Sequence, residues 1–270
     1  MDSPRFLPDR ERLSAVMAVI LLAYTAARFV QLPEQTLGIE LTGIYLPIQV
    51  NINTLVAILV AALTASGTDW LLRDDPALQG RRGFRHWLLP SMTAWVLSLP
   101  LANLPFGLQW WAAFAGSALL LLAILIGEYA SASPENRLHQ ASNLALSALA
   151  YALFLILAIS VRGVALRLYL ALPAIALGTL MISTRIHLLR TKLSWQPLQS
   201  FGITFIVVQI AAALHYLPIS ALGYGLALLG AVFALNQYAA ATNLEQDNKL
   251  AVREAFIVLG IFWAFAILVR

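Results

Sequence analysis

Nine stretches of about twenty mostly apolar residues follow one another along this chain of 270 residues. A helix needs roughly 20 apolar residues to cross the hydrocarbon core of a bilayer, so each stretch predicts a transmembrane helix. The sequence therefore predicts an all-α integral membrane protein with nine spans joined by short links. The spans lie near residues 13–32, 51–72, 87–106, 108–130, 141–161, 164–188, 197–217, 219–240 and 252–270.

The composition excludes the soluble classes of protein. Hydrophobic residues make up 60% of the chain and charged residues only 11%, whereas soluble domains carry about 25% charged residues. This balance excludes a soluble enzyme, a nucleic-acid-binding protein and a disordered chain. The absence of cysteine removes disulfides, thiolate metal sites and cysteine nucleophiles. The four histidines show no metal-ligand spacing, so we predict no metal, no cofactor and no catalytic residue.

The distribution of basic residues predicts the orientation of the chain in the membrane. With the N-terminus inside, 13 of the 17 Lys and Arg residues fall on the cytoplasmic side, where positive charge is enriched. The predicted location is therefore the cytoplasmic (inner) membrane of a bacterium, with the N-terminus inside and the C-terminus outside. The segment before the first stretch has no net positive charge, which favours an uncleaved span over a signal peptide.

One segment departs from the helical pattern. From Ile39 to Val50 apolar and polar residues alternate on either side of the pair Thr42-Gly43. Alternation of period two around a glycine turn predicts a β-hairpin, which we assign to residues 34–50. An open sheet edge cannot face lipid, so the hairpin is expected outside the membrane. An irregular amphipathic loop is the alternative.

The spans also resemble one another. The segments 116–132 and 225–241 match at seven of 17 positions, and two further pairs, 152–162 with 260–270 and 63–73 with 180–190, each match at five of 11. Three pairs in the same order predict an internal duplication into two parallel four-helix repeats. The predicted organisation is then an N-terminal tail and span, the hairpin and the two repeats, at 1–33, 34–50, 51–162 and 163–270.

Polar residues inside spans are the usual sign of function in a membrane protein. Eight of them fall within about two turns of the predicted cytoplasmic boundary, where they form either a polar vestibule or ordinary interfacial flanks. Glu128 is the strongest single candidate, because the repeat places the neutral Gln237 at the matching position. Gln209 lies nearest the middle of a span and is expected to hydrogen-bond a neighbouring helix. The eight are Asp69, Glu128, Asn143, Arg185, His187, Asn236, Gln237 and Glu254.

The longest cytoplasmic link, residues 73–86, carries both acidic and basic groups. Its acidic pair Asp74-Asp75 is of the kind that holds Mg²⁺ in membrane transferases, although no second acidic motif of recognisable spacing accompanies it. Its arginines are predicted instead to contact anionic lipid headgroups. These arginines are Arg73, Arg81, Arg82 and Arg85.

Three short motifs carry a resemblance to a known family. GTDWLLRDDP at 67–76, HWLLP at 86–90 and GEY at 127–129 together resemble a family of bacterial polytopic membrane proteins whose function is unknown. The resemblance implies a multi-helix bundle in the bacterial cytoplasmic membrane. It implies no activity and no catalytic residue.

Three functions remain open at the level of the sequence. A non-catalytic subunit or scaffold of a membrane assembly is predicted first, because the links are short and ionisable residues are few within the spans. A transporter or flippase of a small or lipid-like substrate is the first alternative, which the duplication favours. A Mg²⁺-dependent lipid-modifying enzyme is the second. The predicted partners are the lipid bilayer and other membrane subunits, and nucleic acid is not among them.

Overall fold

The computed structural model describes residues 8–29, 35–41, 44–50, 52–73, 86–132, 137–190, 197–243 and 248–269. Across these residues the chain forms nine helices and one pair of strands. Their order is α1 (Arg10–Phe29), β1 (Gln35–Leu41), β2 (Ile44–Val50), α2 (Ile52–Leu72), α3 (Leu88–Asn103), α4 (Leu108–Ala132), α5 (His139–Gly163), α6 (Leu168–Arg190), α7 (Pro197–His215), α8 (Ala221–Asn243) and α9 (Asn248–Leu268).

Seven of the helices in the described ranges are long and apolar enough to cross a membrane, namely α1, α2, α4, α5, α6, α7 and α8. The chain is therefore a multi-pass membrane protein whose surface contacts lipid. Large apolar side chains are exposed along these helices, as lipid-facing residues are, with Leu144 of α5 exposed to 74% and Leu119 of α4 to 67%.

Helix α3 is shorter than the span predicted at 87–106. It has 16 residues, which corresponds to about 24 Å at 1.5 Å per residue, less than the roughly 30 Å of a hydrocarbon core. Its end has a local cause. Leu104 is extended, with φ −73° and ψ 139°, because a residue that precedes a proline, here Pro105, is disfavoured in the helical region.

The two strands form an antiparallel pair between α1 and α2 in the sequence. Gln35 pairs with Val50 and Leu41 with Ile44, so the register agrees with the hairpin that the alternation predicts. The predicted turn residues, Thr42 and Gly43, lie outside the described residues. The expected position of the hairpin outside the membrane stays a prediction.

The helices divide into two compact units, Met1–Ser133 and Pro134–Arg270. These units are defined by the contacts between helices, and they place α5 in the second unit. The boundary predicted between residues 162 and 163 is instead a boundary between two repeats of the sequence. The duplication therefore stays a prediction.

In the first unit, α1, α2, α3 and α4 pack around buried side chains that include Ile20, Val60 and Leu121. Two polar groups inside this core find backbone partners. The Tyr24 hydroxyl donates to the carbonyl oxygen of Ala94, and Trp110 Nε1 donates to a carbonyl oxygen of α3 at 3.1 Å. These bonds tie α1 and α4 to α3, because a buried donor without an acceptor is costly.

In the second unit, α8 packs against α5, α6, α7 and α9. Two glycines allow it to approach its neighbours closely. A Cβ at Gly230 would lie 2.5 Å from Phe262 Cβ on α9, and a Cβ at Gly225 would lie 2.8 Å from Ile159 Cγ1 on α5. Small residues at such points let helix backbones come together in a membrane, so α8 forms the packing centre of this unit.

An arginine at the end of α5 fixes the end of α7. Arg162 donates from Nη1 to the carbonyl oxygen of His215 at 2.9 Å and from Nη2 to that of Leu217 at 3.0 Å. These carbonyls lie where the helix ends and lack intrahelical partners. The guanidinium also lies 5.7 Å from the ring centre of Tyr224, so Arg162 connects three helices of the unit.

Candidate functional site

The eight polar residues predicted near the cytoplasmic boundary divide between the two units. Asp69 and Glu128 belong to the first unit, and the other six belong to the second. Their common depth in the membrane stays a prediction. The four buried residues are Glu128, Arg185, His187 and Asn236. The three partly exposed residues are Asp69, Asn143 and Gln237, and the exposed one is Glu254.

Glu128 forms the most distinctive polar contact of the first unit. Its side chain is fully buried, and its Oε2 lies 3.0 Å from Nδ1 of His86, whose side chain is 15% exposed. When Glu128 is ionised, the imidazole nitrogen is the donor of this hydrogen bond. A buried carboxylate requires such a donor, because an unpaired charge away from solvent is costly.

Two local features of the helices place this pair. Glu128 lies within the last two turns of α4, where the helix dipole disfavours negative charge. A hydrogen-bond donor beside the carboxylate therefore stabilises it against the dipole as well as against burial. His86 lies two residues before α3 begins. Because α3 packs against α4, the start of one helix meets the end of the other.

The sequence singles out Glu128 but gives no sign that His86 is its partner. The two residues are 42 positions apart, so no helical spacing connects them. The available signal was that His86 immediately precedes the third predicted span, at the same predicted boundary near which Glu128 lies at the end of the fourth.

The second unit has its own buried polar contact, between α6 and α8. Asn236 Nδ2 donates to Ser183 Oγ at 3.1 Å and to the carbonyl oxygen of Val232 at 2.8 Å. Arg185 and His187 are buried on the same part of α6, exposed to 3% and 2%. This part of α6 therefore buries a guanidinium, an imidazole and a hydroxyl close together in the sequence.

The arginines predicted to contact lipid headgroups, and the acidic pair considered as an alternative Mg²⁺ site, fall largely outside the described ranges. Arg73 is exposed at the end of α2. Among the residues that the structure describes, no group of three or more His, Asp or Glu side chains could hold a metal ion. The remaining residues considered for these roles lie outside the described part of the chain: Asp74, Asp75, Arg81, Arg82 and Arg85.

The environment of the Gln209 side chain differs from the expected one. The sequence predicts a hydrogen bond from its amide to a neighbouring helix, but the side chain is exposed on α7. The reason lies in the packing of the helix, since its buried face carries Ile203, Val207 and Ala211. Gln209 is two residues beyond Val207, about 200° around the helix, and thus points the other way.

The exposed face of α7 is otherwise apolar. Phe201 is exposed to 57%, Phe205 to 68% and Ile206 to 44%, and Gly202 is exposed beside them. Gln209 lies on this face within a helix that runs from Pro197 to His215. A carboxamide is therefore presented from the interior of an apolar helix that is long enough to cross a membrane.

These features define a polytopic membrane protein of two helical units with a few isolated polar contacts. The model of a protein family of unknown function, DUF5656, matches residues 32–269, and the chain belongs to that family. No curated protein and no solved structure matches the chain.

Proposed function

We propose that this protein is a non-catalytic subunit of a membrane assembly, with nine spans, its N-terminus in the cytoplasm and its C-terminus outside. The observation that carries the proposal is the exposed amide of Gln209 on the apolar face of α7. Lipid offers that amide no hydrogen-bond partner, and an unsatisfied polar group in the hydrocarbon region costs several kcal/mol. A second polypeptide supplies the missing partner.

The other polar groups within the helices support the same function. Several buried threonine hydroxyls bond to the carbonyl oxygen four residues earlier on their own helix, which satisfies them without a ligand. Their hydrogen bonds are 2.6 to 2.8 Å long. Gln209 is different because its amide points away from the fold. These threonines are Thr64, Thr93, Thr179 and Thr204.

The proposed function is tested by the mass of the assembly. The full chain is extracted from its own membrane into lipid discs and weighed by native mass spectrometry. We expect the wild-type chain in a particle heavier than one chain, and Gln209→Leu at the mass of a single chain. Gln140→Leu, which changes an exposed glutamine in the first turn of α5, is the matched control and should keep the assembly. A wild-type particle of one chain would refute the proposal.

The orientation is tested with reporters. A reporter after Arg270 is expected to report the outside, and one inserted between residues 73 and 86 the cytoplasm, because 13 of 17 basic residues then lie inside. This topology requires the 16-residue α3 and α9 to cross the membrane. A C-terminal reporter on the cytoplasmic side would mean that one of them does not.

A transporter is the second candidate function, and the contact of Glu128 with His86 favours it. Buried ionisable residues in membrane helices mark substrate or proton pathways in many transporters. The proposed duplication into 51–162 and 163–270 agrees with this function, since many transporters consist of repeats. Uptake or efflux that is lost in Glu128→Gln, with the assembly intact, would favour this candidate.

A further inference from the structure

We infer that the partner of the α7 face is a second copy of this chain, joined through α7 in a parallel, two-fold symmetric contact centred on Gln209. The inference rests on the proposed function and names its partner. Its evidence is the chemistry of the exposed amide and the open space beside it on α7.

The amide of Gln209 is complementary to itself. A carboxamide carries one acceptor oxygen and two N–H donors, so two glutamines can each donate to the other. Two copies inserted in one membrane share an orientation, and a two-fold axis along the membrane normal then makes their α7 helices parallel. Gln209 of one copy thus meets Gln209 of the other at the same depth. A different subunit would need a polar group of its own at that depth.

The backbone of α7 is also open on this side. A Cβ added at Gly202 would meet no atom within 4 Å, so nothing in the chain fills the space. Gly202 is seven residues before Gln209, and a seven-residue spacing returns to the same face of a helix. Because glycine permits close approach of helix backbones in membranes, the two α7 helices can come close enough for the short amide groups to bond.

The flanking side chains fit the same contact. Phe205 and Ile206 lie between Gly202 and Gln209 along the chain and are exposed to 68% and 44%. They would pack beside the small surface of Gly202 and cover the amide pair. Gly116 of α4 and Gly260 of α9 are exposed as well, again with no atom within 4 Å of an added Cβ. The face of Gly260 carries no glutamine, and the glutamine on the face of Gly116, Gln109, lies in the first turn of α4 rather than in the interior of the helix.

The absence of cysteine from the chain permits a direct test by disulfide cross-linking in native membranes. We expect Gly202→Cys to form a covalent dimer under mild oxidation, and Gly116→Cys to form none. Adding Gln209→Leu to Gly202→Cys should lower the cross-linked fraction at least tenfold, whereas adding Gln209→Asn should retain most of it. The reduced Gly202→Cys variant should still extract as folded protein, since no atom of its own chain lies within 4 Å of the added Cβ and cysteine is small enough for a close helix contact.

The outcomes separate this inference from the proposed function. A native particle heavier than one chain, with no cross-link at position 202, would refute the second copy and leave the chain a subunit beside a different protein. A native particle of one chain would refute both. Equal cross-linking at positions 202 and 116 would report random collisions and would also refute the symmetric contact.

Discussion

Replacing Glu128 with leucine is expected to destabilise the protein by about 1–3 kcal/mol, the usual cost of a buried polar group left without its partner. The substitution leaves Nδ1 of His86, 3.0 Å from Glu128 Oε2 in the wild type, without an acceptor in a mostly buried position. The measurement is the free energy of unfolding of the detergent-solubilised protein by denaturant titration.

Glu128→Gln is the matched control, because its amide oxygen still accepts a hydrogen bond from His86. We expect it to stay within about 1 kcal/mol of the wild type, as mild substitutions usually do. The double variant His86→Leu with Glu128→Leu should recover part of the loss, since it leaves neither partner unpaired. Equal stability of Glu128→Leu and the wild type would show that the contact contributes nothing to the fold.

Replacing Gly230 with alanine is expected to destabilise the second unit by about 1–3 kcal/mol, the usual cost of overpacking a well-packed core. The added Cβ would lie 2.5 Å from Phe262 Cβ, and neither atom can move without shifting a helix backbone. The loss should appear in the same unfolding titration as a lower midpoint.

The matched control is Gly116→Ala, the same substitution inside α4, where an added Cβ meets no atom within 4 Å. It should be neutral or should stabilise the helix by about 0.5–1 kcal/mol, because alanine loses less conformational entropy than glycine. Equal effects at positions 230 and 116 would contradict the close approach of α8 and α9.

The helices themselves could be predicted from hydropathy, because a bilayer fixes the length of each span. The shortening of α3 was also readable in principle, since Pro105 restricts Leu104, but an apolar count continues through that residue. Hydropathy measures where a chain can enter lipid, whereas local dihedral preferences decide where a helix ends.

The packing around matched positions could not be predicted in the same way. The sequence aligns Gly116 with Gly225, and these two glycines lie in different surroundings. A Cβ at Gly225 would lie 2.8 Å from Ile159 Cγ1, while one at Gly116 would meet nothing. An alignment shows that two positions carry the same residue type. It does not show which side chains pack against each position, because those neighbours come from distant parts of the chain.

The candidate site likewise has features that a local sequence pattern predicts and contacts that it does not. The sequence singled out Glu128 because the proposed repeat places the neutral Gln237 at the matching position, and the structure gives Glu128 a buried position. It did not give His86 as the partner, because a contact across 42 residues leaves no periodic trace. Gln209 was singled out as the polar residue nearest the middle of a span, but a helical pattern without a strong apolar asymmetry does not tell which way its amide points.

The central claim is that protein, and not lipid, covers the α7 face that carries Gln209. Spin labels on single cysteines in native membranes measure this directly, as the collision rate of each label with dissolved oxygen. We predict a low rate for a label at Ile206→Cys, which leaves Gln209 unchanged, and a high rate at Leu119→Cys, an exposed position inside α4. Equally high oxygen collision rates at the two positions would show that lipid covers α7 and would contradict the account.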